Sequence, residues 1–197
     1  MDKKTESCLT ELIDRRWSRR SFSGEKVRDE DLLKIFEAGR QVASSYNEQP
    51  WCFIFAAKGD THYQKLFDCL GEFNQTWCKT ARYLAVALGR TRFAKNDKEN
   101  RHCFHDVGAF LSVASLQATE LGLFVHEMAG FSPDKVKENF DIPGVYEPIT
   151  MFVLGKPGDM DQLPEDLRKK EDPDSPRKEV SEFLYGGEWG KAYKLNR

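Results

Sequence analysis

Apolar positions along this chain fall into runs of two kinds. Trp51-Cys-Phe-Ile-Phe-Ala-Ala has no helical gaps and is rich in aromatic and aliphatic residues, which predicts a strand buried on both faces. Tyr83-Leu-Ala-Val-Ala-Leu-Gly89 predicts a second strand of that kind, and Pro148-Ile-Thr-Met-Phe-Val-Leu-Gly155 a third. Leu32, Leu33, Phe36 and Ala43 instead follow helical spacing behind Asp29-Glu-Asp, an acidic N-cap and first turn, and that helix delivers the chain to Ser44. Residues 105–121 are apolar or small nearly all round, with Val107, Phe110, Leu111, Val113 and Leu116 pointing several ways, so this helix is expected to be buried on most sides. Its small residues, among them Gly108, Ala109, Ser112 and Ala118, permit close approach of another helix, and part of the burial is expected from a second subunit. Ser132-Pro133-Asp134 supplies an N-cap, a proline at the first helical position and a carboxylate in the first turn of a short helix that Pro143 closes.

Between residues 156 and 176 the chain turns charged and carries Pro157, Pro164, Pro173 and Pro176, the composition of an extended arm. Apolar character returns at Phe183-Leu-Tyr185, ahead of Gly186-Gly187 and Trp189, so the tail is expected to dock on something. At 197 residues the chain reads as one domain, with 156–197 an arm and tail docking on a partner subunit. Its formal charge of -2 provides no bulk positive field for nucleic acid. With neither a signal-like start nor an apolar run of bilayer length, a cytoplasmic location away from membranes is expected. Cys8, Cys52, Cys69, Cys78 and Cys103 are scattered without a C-x-x-C pair, which predicts free, mostly buried thiols in place of disulfides or zinc ligands.

Two polar stretches carry candidate chemistry. Arg16-Trp17-Ser18-Arg19-Arg20-Ser21-Phe22 interleaves cations with hydroxyls and offers charge-assisted donors to a phosphate, although an Arg-rich turn on a solvated surface reads the same way. Ser44-Ser45-Tyr46-Asn47-Glu48-Gln49-Pro50-Trp51 is a polar turn entering a buried strand, either a helix stop with local side-chain bonds or a site for a planar heteroaromatic ring. No G-x-G-x-x-G follows a strand, so a dinucleotide-binding Rossmann site is unsupported. His102 and His105 form a lone H-x-x-H without convergent partners, and no metal is expected.

Taken in order, the motifs match a family. Arg16-x-Ser18-x-Arg20-x-Phe22 and Ser44-Ser45-x-Asn47-x-Gln49-Pro50-Trp51 precede Asp106-x-Gly108, Leu121-Gly122-Leu123 and Gly130-Phe131. Leu154-Gly155-x-Pro157, Arg177-Lys178 and Gly187-Glu-Trp189-Gly190 follow. With these segments spanning nearly the whole chain, it resembles the FMN-dependent nitroreductase family. The resemblance implies an α+β, three-layer fold: a central, mainly antiparallel sheet flanked by helices, with the C-terminal arm exchanged in a homodimer.

It also implies a residue set for FMN. Arg16, Trp17 and Ser18 match the segment holding the phosphate and ribityl chain, and Arg20 matches a cation at the N1 and O2 edge of the ring, where it stabilises the reduced anion. Arg177, with Lys178 assisting, matches a second phosphate contact from the arm. Asn74 matches a partner of the O2 and N3 edge. Met128, Ala129 and Gly130 match the loop beside the flavin, with the Ala129 N–H towards N5. Ser44, Ser45 and Asn47, preceded by Ala43 where many relatives carry proline, match the segment that reaches the flavin across the dimer interface.

The implied activity is hydride transfer from NADH or NADPH through flavin N5 to a small acceptor, a nitroaromatic, quinone or flavin, by a ping-pong cycle, with no catalytic side chain required. Acceptor specificity is expected in loops such as 91–102. Three other readings stay open on the sequence. The same fold and FMN also serve reductive dehalogenation, azoline oxidation or flavin fragmentation. A nucleic-acid module would use residues 15–20 with nearby aromatics, and a flavin-holding homodimer would have no turnover.

Overall fold

The computed structural model describes residues 10–171 and 175–195, so Cys8 and Pro173 lie outside it. In chain order the elements are α1 (Glu11–Arg15), α2 (Asp29–Gly39), β1 (Trp51–Ala57), α3 (Thr61–Phe67), α4 (Glu72–Cys78), β2 (Tyr83–Arg90) and α5 (Cys103–Glu120). They continue with β3 (Phe124–Met128), α6 (Pro133–Asn139), β4 (Tyr146–Gly155) and α7 (Glu165–Arg168). The strands form one antiparallel sheet in the order β1-β2-β4-β3.

Alternation along the strands builds an apolar layer on each face. Leu84 and Val86 of β2, with Met151 and Val153 of β4, pack against Leu66 of α3, Trp77 of α4 and Val136 of α6. Their neighbours Ala85, Ala87, Phe152 and Leu154 pack on the other side, against Ile35 of α2 and Val107, Phe110 and Ala118 of α5. The expected α+β arrangement of an antiparallel sheet between helices is therefore what the chain adopts.

Several local expectations change. β1 packs on a core with both faces, Ile54 and Ala56 on one side and Trp51, Phe53 and Phe55 on the other, but as an edge strand it is mostly half-buried: Cys52 is exposed and Ala56 alone is fully buried. β2, inside the sheet, is buried over its first seven residues. The α2 N-cap is Arg28, without a side-chain cap bond, and Asp29, Glu30 and Asp31 make up the first turn. The Ser132 cap holds, its Oγ accepting from the Lys135 N–H at 3.3 Å. α5 buries one flank in the protomer and leaves another open, with Phe104, His105 and Ser112 exposed. The tail does not dock within the protomer: Phe183 is 60% and Trp189 92% exposed. Among the described residues no helix is long and apolar enough to cross a membrane.

The start of the chain is stitched to the arm that follows β4. Phe22, fully buried, bridges Pro157, while Ser23 N donates to the Lys156 carbonyl and Gly158 N to the Ser21 carbonyl, both at 3.0 Å. A Cβ on Gly158 would stand 2.4 Å from the Phe22 carbonyl carbon, which is backbone and cannot rotate away. Gly158→Ala is expected to cost about 1–3 kcal/mol through this overpacking, seen as a lower urea midpoint with an unchanged slope.

Tyr63 gives the fold an alkaline limit. Its hydroxyl donates to the Ala81 carbonyl at 3.0 Å, and burial, helped by the Cys78 thiol, pushes the phenol up to about 12. The unfolded phenol ionises near 10, so this contribution is complete below pH 10 and declines as pH rises towards 12. Urea unfolding of Tyr63→Phe across that window is expected to show a shallower decline than the parent chain.

Candidate functional site

Residues 16–21 cross from α1, which lies on α5 through an Arg15 Nη2 bond to the Thr119 carbonyl, to the bridge at Phe22. Arg16, Trp17, Ser18 and Arg20 line one side of a cavity of about 620 Å³, and Lys169, Lys170 and Arg177 line the other. Of these five cations only Lys169 forms a salt bridge among the described residues, to Glu165 at 3.0 Å. Trp17 Nε1 and Arg20 Nε are buried donors without a partner among the described residues. Glu127 acts on Arg16 and the Glu171 carboxylate lies against Arg20 N, yet cations outnumber them here, and a cavity with an excess of positive charge and idle N–H donors fits a multiply charged anion.

The backbone of this segment is gripped from within. Glu171, buried to 5% exposure on the arm, accepts from Arg20 N at 3.0 Å, from Ser21 N at 3.0 Å and from Ser21 Oγ at 2.7 Å. With those amides already used, side chains are left to meet a ligand. Lys169, Lys170 and Glu171 are absent from the sequence reading, since a charged stretch between prolines has the composition of a solvated linker.

A second group adjoins the first along β3. His126 Nδ1 donates to the Arg19 carbonyl at 2.7 Å, and its ring lies 4.5 Å from that of Trp77. Trp77 Nε1 donates to Asn74 Oδ1 at 3.3 Å, and Asn74 Nδ2 donates to the Gly130 carbonyl at 3.0 Å. A Cβ on Gly130 would come within 2.8 Å of that amide nitrogen, so a larger residue there would displace the Asn74 side chain. Arg16, Trp17, Ser18, Arg20, Asn74 and the turn Met128, Ala129, Gly130 are thus assembled on one edge of the sheet, with Arg177 beside them. Lys178 is exposed and outside the cavity lining.

The remaining candidates sit elsewhere. Ala43, Ser44, Ser45 and Asn47 lead into β1, the opposite edge from β3, three strand spacings or about 14 Å across the sheet. Ser45 N donates to the buried Asp106 carboxylate at 3.0 Å, and Ser44 Oγ accepts from Gln49 N at 3.0 Å. Tyr46, Asn47 and Gln49 take left-handed φ values of 53°, 56° and 52° without being glycine, an uncommon concentration of strain. Segment 91–102 folds over this turn: the Phe93 ring meets Tyr46 edge-on at 5.6 Å, and Ala94 N donates to Glu48 Oε1 at 2.6 Å. Between them lies a cavity of about 490 Å³ with Lys95 and Lys98 at its rim.

A model of the nitroreductase family matches residues 13–75. The chain is similar to the major NAD(P)H-flavin oxidoreductase of Aliivibrio fischeri, 29% identical over 119 residues, covering 59% of this chain and 51% of that protein. It therefore spans about half the length of this curated relative. A crystal structure of an oxidoreductase containing FMN superposes with a TM-score of 0.89 at 30% identity, over 95% of this chain and 96% of the other. A nitroreductase family protein of Clostridium difficile 630 shares the fold, with a TM-score of 0.69 at 24% identity over 90% and 96% of the two chains.

Proposed function

Because the chain belongs to the nitroreductase family, we propose that it is an FMN-dependent oxidoreductase that takes hydride from NADH or NADPH and delivers it to a small acceptor. The observation that carries this reading is the cavity between residues 16–20 and the arm, where an excess of cations and orphaned buried donors match a phosphate and a ring edge. The flavin would supply hydride acceptance and release. Arg16, Ser18 and Arg177, with Lys178 assisting, would hold the phosphate end. Trp17 would cover the ribityl chain, and Arg20 would set a fixed cation at the ring edge where reduction accumulates negative charge. Asn74, bonded to Trp77 and Gly130, would share its amide with the polar ring edge, and the Met128-Ala129-Gly130 turn would offer a backbone N–H to the ring.

A homodimer completes the site in this proposal. The open small-residue flank of α5 and the exposed apolar tail are surfaces for a second copy, and the opposite sheet edge gives Ala43, Ser44, Ser45 and Asn47 a place over the partner's flavin. Donor and acceptor then use one slot in turn, a ping-pong cycle in which nitroaromatics, quinones and flavins are the acceptor classes. Segment 91–102, folded on the Ser44 turn, is positioned to select among them.

The test is the absorption spectrum of the purified protein before and after addition of NADH and of NADPH. A yellow dimer bleached by a nicotinamide and recoloured by a quinone supports the reading. A colourless protein that cannot be reconstituted with FMN overturns it.

A further inference from the structure

His126 lines neither cavity described above and none of the proposed roles uses it, yet it is buried at the junction of both groups of site residues. We propose that His126 is a positioning residue: its Nδ1–H holds the Arg19 carbonyl so that Trp17, Ser18 and Arg20 present their side chains to the cofactor cavity. A carbonyl oxygen only accepts, so the 2.7 Å bond requires the ring proton on Nδ1. The same ring lies on Trp77, whose indole N–H reaches Asn74 and through it Gly130. One imidazole thus ties the phosphate segment to the turn expected beside the flavin.

The bond needs only a proton on Nδ1, which the Nδ1–H tautomer of the neutral ring and the imidazolium both carry. Arg19 and Arg20 lie on the segment it holds, Glu171 comes from the arm, Trp77 from α4, and its register partner on β4 is the apolar Val153. Burial, the largest influence, holds the imidazole below the ordinary histidine value and Arg20 adds to this, while the bonds to the Arg19 and Ser18 backbone and the Glu171 charge oppose it. The ring is therefore neutral above pH 6.5, and the Arg19 carbonyl selects its Nδ1–H tautomer.

This inference rests on FMN binding, and the experiment separates the two. FMN affinity of the whole protein is measured by flavin fluorescence at pH 8 for the parent chain, His126→Asn and His126→Leu. An asparagine amide can occupy the Nδ1 donor position, whereas leucine keeps the bulk without a donor. His126→Asn is expected to bind within about 3-fold of the parent chain and His126→Leu about 10-fold more weakly. Equal affinity of the parent chain and His126→Leu, or equal weakening in both variants, overturns the inference; absence of FMN binding by the parent chain overturns the functional reading instead. Should the variants not fold, nitrogen NMR of the parent apoprotein decides: a proton on Nδ1 supports the role, and a proton on Nε2 refutes it.

Discussion

Arg20→Ala is expected to weaken FMN binding by about 10- to 100-fold, the span set by about 1.5–3 kcal/mol for hydrogen bonds to a charged group. The guanidinium is poised for a ligand: among the described residues its Nε is buried and unpartnered, and its one bond, to the Lys170 carbonyl, is a long 3.4 Å. Stability should change little, since Glu171 holds Arg20 through the main-chain N–H, which alanine retains. Arg20→Lys should recover part of the affinity, because it restores charge without the planar fork. Fluorescence titration of FMN against all three proteins measures this, and an Arg20→Ala affinity equal to that of the parent chain would remove Arg20 from the site.

Glu171→Ala should be the most damaging single change to both fold and site. It strands Arg20 N, Ser21 N and Ser21 Oγ, donors that now meet one carboxylate, and each buried orphan costs about 1–3 kcal/mol. Partial rescue by water brings the expected total to about 3–5 kcal/mol, which lowers Tm by about 10 °C for a domain of this size. Glu171→Gln, which keeps one acceptor oxygen, should fall between. Calorimetry of the apoprotein isolates the folding effect from cofactor loss, and a Glu171→Ala shift below about 2 °C would contradict the clasp.

The parts of the fold legible in the sequence are those where one environment covers a whole run. β2 is buried along nearly its full length, and its unbroken Leu-Ala-Val-Ala-Leu run says so directly. β3 escaped because Phe124-Val-His-Glu-Met is short, with two polar residues side by side, and the burial of His126 follows from Trp77 and Arg19, which lie far away in sequence. The apolar run of β1 reports its two packed faces but not its edge position, which leaves most of its residues half-exposed, since strand composition cannot report whether a neighbour exists. The polar segment 16–20 was recognisable by its order among other motifs, while Lys169, Lys170 and Glu171 acquire meaning only when the arm folds back against it.

That fold-back has a consequence for the chain as it is made. Arg20 and Ser21 receive their carboxylate partner from a residue 150 or more positions later. At 5–20 residues per second, translation leaves this segment without its clasp for roughly 8–30 s, while β1, β2 and α5 emerge and can begin to pack. Loop closure over so long a separation is also a late, entropically costly event. Cofactor capture is therefore a readout of chain completion: a ribosome-stalled product ending before Glu171 should carry a nearly whole sheet and still leave FMN in solution.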